Sequence, residues 1–419
     1  MPLKKPEFLE LHNQVKMYPW GSALWIPRLM GKDNPAALPW AELWMGVHPD
    51  APSMVQYKNC ETGLDKIIKK NPAYYLGKQA ARTYRGLPFL FKLLAAEKPL
   101  SIQAHPNLPQ AREGFNRENK ARLALDDPRR NYKDPNHKPE LICALTPFTG
   151  MCGFRAPDEI RRLLCDFLAP AESAAPPVFQ SLCADMKPLL AFLDDQDTGA
   201  ALRNFLRALL SLKPELRGEL SNYIVREGGR CLSAPPQPGG LSPAQWEKMI
   251  YFAELYPGDP AVISPLYLNI FELEPGEAVF LHPGTPHSYV HGFGIELMAN
   301  SDNVLRGGLT SKYVDIDELL KVLDCRPCKP EIIKPPPHAV NFTYPAPCGE
   351  FSLSVLSGGE TELCENRPAI CIVVSGELEI RGKNDTAVFG AGQSVFIPPA
   401  QHLIFRGNYT LYAAMTALP

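Results

Sequence analysis

Proline limits this chain more than any other residue: it fills 44 of 419 positions. Inside a helix a proline removes a backbone hydrogen bond and crowds the preceding turn, and inside a sheet it removes a ladder bond. Long uninterrupted helices should be few, and short strands ended by fixed turns many. Helical spacing is concentrated in one stretch. Ile160, Leu163, Leu164, Phe167 and Leu168 follow i, i+3, i+4, i+7, i+8, and Leu202, Phe205, Leu206, Leu209 and Leu210 repeat it. Ser242 and Pro243 read as a cap and first helical residue ahead of Trp246, Met249, Ile250 and Ala253. The run APPQPGG at 234–240 reads as a loop among these helices.

Both flanks of that block read as β. LPFLFKLL from Leu87 and SIQAH from Ser101 precede it, and LYLNIFEL from Leu266 and AVFL from Ala278 follow it. The helices therefore look inserted into one β domain. Residues 327–347 hold seven prolines and read as a linker, after which strands resume. There is also an internal echo: PGEAVFLHPGTPH, ending at His287, resembles AGQSVFIPPAQH, ending at His402. Each reads as turn, strand, proline turn and histidine, similar to the second motif of a cupin barrel. The fold class expected is mainly β with a helical insertion: two cupin-like, jelly-roll barrels plus a helical domain. The expected division is a catalytic cupin domain in two parts (1–155 and 263–326), a helical insert (156–262), the linker (327–347) and a C-terminal cupin-like domain without metal (348–419).

Charge excludes several partners. The formal net charge is −2, with no basic block or basic-aromatic stripe, so no nucleic-acid partner is expected. No apolar run is long enough for a membrane span, and the first residues lack the pattern of a signal peptide. Eleven cysteines at irregular spacing suit reduced thiols in a cytoplasmic protein. Cys325 and Cys328 lack both a second pair and a strand–helix context, so they read as incidental.

The densest polar cluster is SIQAHP followed by NYKDPNHKPE. Residues two apart on a strand share a face, so Gln103 and His105 can converge. Glu140 stands at the lip of the apolar run LICAL, and His287 can arrive from the far half of the same domain. Two histidines and a glutamate make a plausible metal set, whereas composition alone leaves Gln103 open. His402 has no upstream ligand partners, and it takes a packing or surface role, as do His282, His291 and His338.

These segments, with FTGMCGFR, PGEAVFLHPGTPHSYVHG, ELMANSDNVLRGGLTSKYVDI, YPWGS at 18–22 and AELWMGVH at 41–48, resemble the type I phosphomannose isomerases. The resemblance runs in order from about residue 15 to 325. It implies a zinc-dependent aldose–ketose isomerase that interconverts mannose 6-phosphate and fructose 6-phosphate through a cis-enediol, feeding GDP-mannose precursor supply. It implies one Zn2+ per chain on Gln103, His105, Glu140 and His287, and a catalytic role for Arg306. Thr310-Ser311-Lys312 replaces the family's Thr-Pro-Lys, which keeps the lysine but loosens its turn.

Removing a proton beside a carbonyl needs an electrophile on the oxygens and a base beside the carbon. Lys138 is the first candidate base and Glu296 the second. His137 and Lys138 would face opposite ways, and His137 is assigned to substrate binding. There is no Walker or G-x-G-x-x-G loop; the resemblance, together with position, gives the phosphate to Ser101, Lys92 and Lys312. The partner expected is a small-molecule sugar phosphate, the chain acting as a monomer or a dimer. A non-enzymatic sugar-binding cupin would lack a ligand or Arg306, and an iron oxygenase would use two histidines and one carboxylate without Gln103.

Overall fold

The computed structural model describes residues 5–84, 86–173, 177–233, 240–337 and 339–417, which leaves His338 and most of the 234–240 loop outside the described residues. Two large sheets and one block of helices make up the chain.

An eleven-stranded sheet carries most of the first half and the region after the helices. Its spine is the thirteen-residue strand His287–Ala299, buried at every position but His291. From Gly292 to Ala299 this strand lies between Phe89–Ala96 and Glu140–Ala144. Before Gly292 it pairs instead with Phe148–Phe154, and His287 stands opposite Gln103. The change of partners turns on Gly292: its φ is +137°, and a Cβ there would press on Phe148.

The second sheet has seven strands, in the order Leu9–Leu11, Ser394–Ile397, Ala369–Arg381, Leu403–Met415, Ser352–Leu363, Asn341–Tyr344, with Thr386–Gly390 attached to Ala369–Arg381. Its first strand comes from the other end of the chain: Leu9 stands opposite Phe396. Among the described residues, strand pairing closes neither sheet into a barrel. One apolar layer joins the sheets, with Leu93, Leu141 and Ile295 from the first packed with Phe351, Ile370 and Tyr412 from the second. The proline-rich 327–347 stretch is stitched to both: Ile332–Ile333 pairs with Ala278–Leu281, and Asn341–Tyr344 with Ser352–Leu363.

The helical block spans Pro157–Ser173, Pro177–Met186, Pro188–Phe192, Thr198–Leu210, Pro214–Ser233 and Pro243–Leu255. Helices of seventeen and twenty residues are longer than the proline count suggests. Placement is most of the reason: five of the six begin on a proline, where the missing N–H would have no helical partner anyway, although Pro170 lies within the seventeen-residue helix. Ser242 caps the last one in a reciprocal pair with Gln245. The apolar positions at helical spacing, with Trp246, Met249 and Ala253, lie in one buried cluster. All eleven cysteines are free thiols; Cys325 is buried and Cys328 exposed. No helix among the described residues is long and apolar enough to cross a membrane.

Candidate active site

Three short strands place the site. In Ile102–Ala104, Gln103 stands opposite His287 on one side and opposite Arg306 on the other. Directly paired residues project from the same face, so one cross-strand row carries His287, Gln103 and Arg306. His105 continues the face of Gln103, and Glu140 opens its own strand beside the spine.

His105, Glu140 and His287 are 2 %, 1 % and 1 % exposed. Glu140 Oε2 lies 3.4 Å from His105 Nε2 and 3.2 Å from His287 Nε2. The opposite ring nitrogens settle the tautomers. His105 Nδ1 donates to the Asn303 carbonyl at 2.7 Å and His287 Nδ1 to the Thr285 carbonyl at 2.9 Å, since carbonyls only accept. Both Nε2 atoms then present lone pairs to a carboxylate oxygen, and none of the three atoms has a hydrogen-bond partner. Burial pushes His105 down to about 4 in spite of Glu140, which keeps the ring neutral. Burial also opposes ionisation of Glu140, but the neighbouring Lys138 holds its carboxyl well below the usual range. Three buried acceptors aimed at one point repel one another unless a cation lies between them. The residues fit a divalent metal of zinc's preference.

A second acidic cluster with a histidine differs. Asp50 N donates to His48 Nδ1 at 3.3 Å, so His48 Nε2 donates to Asp302 Oδ2 at 3.1 Å. Both ring nitrogens of His48 are thus engaged, so it has no lone pair free for a metal.

Above the metal cradle opens a cleft of about 570 Å³ whose walls include Gln103, Glu140, Lys138, Glu296, Arg306, Ser101, Lys92 and Lys312. Lys138 Nζ is 2.8 Å from Glu140 Oε1, the oxygen turned away from the histidines. Glu296 is raised above the usual carboxylate range by burial, against the pull of Lys92. Among the described residues no carboxylate pairs with Arg306, which is lowered by burial alone. Lys312 is lowered by burial and by the nearby Arg306 and Lys133, so three cations gather here. Its turn is held without the proline: Lys312 N donates to Thr310 Oγ1 at 3.1 Å, and Thr310 N to Asp259 Oδ2 at 3.1 Å.

Two residues stand apart from their expected roles. Lys92 reaches the wall, but its ammonium lies 2.9 Å from Glu296 and 3.3 Å from Glu42, so a phosphate would compete with two carboxylates. His137 is not in the cleft wall; its Nε2 meets Glu350 Oε1 at 2.7 Å on the other side of the chain. Sequence reasoning assigned no part to Glu42 and Trp44. Trp44 Nε1 donates to Glu42 Oε2 at 2.7 Å and its ring lies beneath Lys92, 5.3 Å from Nζ. Their i, i+2 spacing in AELW was the available signal. Nor did it single out the Tyr18–Trp20 stack on the cleft wall, with ring centroids 5.4 Å apart.

A buried metal cradle beneath a cleft lined with cations defines a metal-dependent enzyme for a small anionic substrate. Similarity to known proteins narrows that class. The model of the type I phosphomannose isomerase catalytic domain matches residues 8–157. The mannose-6-phosphate isomerase of Escherichia coli (strain K12) is 37% identical over 393 residues, covering 93% of this chain and 94% of that one. The Homo sapiens enzyme is 34% identical over 337 residues, covering 77% and 74%. A crystal structure of a mutant phosphomannose isomerase from Salmonella typhimurium superposes with a TM-score of 0.86 at 36% identity, covering 99% of this chain and 100% of that one. A holo, zinc-bound mannose 6-phosphate isomerase superposes with a TM-score of 0.84, also at 36% identity and with the same coverage. The chain belongs to the type I phosphomannose isomerase family.

Proposed function

We propose that this chain interconverts mannose 6-phosphate and fructose 6-phosphate, with Zn2+ held by Gln103, His105, Glu140 and His287. The observation that carries the reading is the convergence of two imidazole lone pairs and a buried carboxylate oxygen, none with a hydrogen-bond partner. Two neutral histidines, a neutral amide and one carboxylate sum to a single negative charge, so a bound zinc would retain Lewis acidity toward the sugar oxygens.

The chain's own groups divide the remaining work. Glu296, a carboxylate raised by burial at the cleft wall, takes the proton from one sugar carbon and returns it to the neighbouring one by way of a cis-enediol. Lys138, held as an ammonium on Glu140, donates to the sugar oxygens, which reverses the order in which the sequence ranks these two bases. Arg306 carries its charge uncompensated and lies beside Gln103, so it meets the negative charge that develops on the enediol. Ser101 and Lys312 take the phosphate; Lys92 instead keeps Glu296 ionised and in place, and His137 has no direct part.

We also read the two sheets as cupin-like domains, supported by the matching strand, turn and long strand that end in His287–Ala299 and Leu403–Met415. The helices form an insert in the first of them. A cytoplasmic monomer acting on a small phosphosugar, with no nucleic acid, suits eleven free thiols and a net charge of −2. A coupled assay offering mannose 6-phosphate and glucose 6-phosphate, with and without chelator, tests the function. Mannose 6-phosphate should be turned over alone and only with metal; full activity after chelation would end the reading.

A further inference from the structure

Lys138 turns into the cleft and His137 turns away from it, so one short segment touches two parts of the molecule. On its N-terminal side the segment is fixed by Asn303, whose amide donates to the carbonyls of Asp134 at 2.8 Å and Asn136 at 2.9 Å. On its C-terminal side the Pro139 carbonyl accepts from Ala299 N at 3.1 Å. Between these points, no backbone hydrogen bond among the described residues holds His137 or Lys138. The tie there is the 2.7 Å contact from His137 Nε2 to Glu350 Oε1.

Glu350 lies between Asn341–Tyr344 and Ser352–Leu363, two strands of the seven-stranded sheet. Its own loop is anchored independently. Phe351 is fully buried in the layer between the sheets and packs on Phe280, and the Tyr84 hydroxyl donates to the Gly349 carbonyl. Burial works against the Glu350 carboxylate, yet His137 beside it holds it below the usual range. The partners are 24% and 21% exposed, shielded enough from water for the pair to persist.

We propose that Glu350 is a positioning residue: through His137, the seven-stranded sheet sets where the Lys138 ammonium stands against Glu140 and the substrate. A sheet with none of the metal residues thereby takes part in the chemistry by geometry. Releasing His137 frees the 137–138 backbone to rotate and carries Lys138 Nζ off Glu140 Oε1. The activity side of the inference rests on the isomerase reading above.

The test combines kinetics with hydrogen exchange on the full-length protein. Glu350→Ala should lower kcat about 10- to 100-fold, the scale of a misplacement near 1 Å. KM for mannose 6-phosphate, zinc content and Tm should stay as in the parent chain. Glu350→Gln should recover most of the rate, because its amide oxygen still accepts from the imidazole N–H. Glu350→Ala combined with His137→Ala should be no slower than the slower single variant. Peptides covering residues 133–141 should exchange faster in Glu350→Ala, in both the zinc-loaded and the chelated protein.

A Glu350→Ala enzyme with kcat within twofold of the parent overturns the proposal. Multiplying effects in the double variant do so too, since His137 would then act on substrate by itself. Loss of Tm or zinc in step with activity makes the contact a plain structural prop, which also overturns it. An inactive parent chain sinks the isomerase reading instead, and the exchange experiment still decides whether Glu350 orders the segment.

Discussion

The two sheets use one local design and reach opposite outcomes. In each, a four-residue strand and a proline turn lead to a thirteen-residue strand, with a histidine at or just before its start. His287 is 1 % exposed and faces Gln103 and Glu140. His402 has a side chain 74% exposed, with Cys364 Sγ at 3.6 Å and Glu362 at 4.0 Å as its neighbours. The strand–turn–strand unit therefore supplies a place for a ligand, while the strands packed across from it decide whether that place is a site. Among the described residues, only the first sheet has a short strand, Ile102–Ala104, laid against its histidine, with Gln103 directly opposite it.

The sharpest way to break this contrast is to remove each histidine in turn. His287→Ala leaves a metal cradle one imidazole short and should lose zinc and nearly all turnover, read by metal analysis and the coupled assay. Arg306→Ala should cost about 10²–10³ in kcat while zinc stays bound, the scale for losing one preorganised charge; a pure KM effect would reassign Arg306 to the phosphate. Acid should weaken the first sheet through His105. Its folded value, about 4, lies below the unfolded 6.5, so the unfolded state binds more protons between those values. Stability is then lost as pH falls from 6.5 toward 4, by on the order of 3 kcal/mol, visible as a falling Tm of chelated protein across that window. Lys312→Ala should raise KM about tenfold, one charge-assisted phosphate contact, with little change in kcat. Least of all, His402→Ala should keep its zinc and its kcat and shift stability by no more than about 0.5 kcal/mol; loss of metal there would put the site in the wrong sheet.

The proposed metal residues stood out in the sequence because each lies in a compact motif, with Gln103 added by the family resemblance. Alternation along SIQAH puts Gln103 and His105 on one face, and a proline precedes Glu140 and His287 alike. The helical block was legible for the same kind of reason, from five-residue apolar sets at helical spacing. The neighbours of Lys92 were not legible because they are set by register between distant strands. Glu296 stands directly opposite it on one side and Trp44 on the other. No local pattern says that a lysine in an apolar strand will have two carboxylates for company. His137 is a different case: the sequence implies that it and Lys138 diverge, but not what lies on the outer side. Glu350, its partner, is separated from it by the whole helical block and half of the spine sheet. The 327–347 stretch gave no strand signal because prolines interrupt it, although two short strands fit between them.

The pairing of Leu9–Leu11 with Ser394–Ile397 has a consequence for the order of events in synthesis. The strand that borders the second sheet is synthesised long before its partner. At 5–20 residues per second the wait is on the order of a minute or less. Throughout that time the edge of Leu9–Leu11 that pairs with Ser394–Ile397 has no partner strand. Chains cut short before residue 394 should keep an unmatched edge at their beginning and be the ones that chaperones retain or that aggregate.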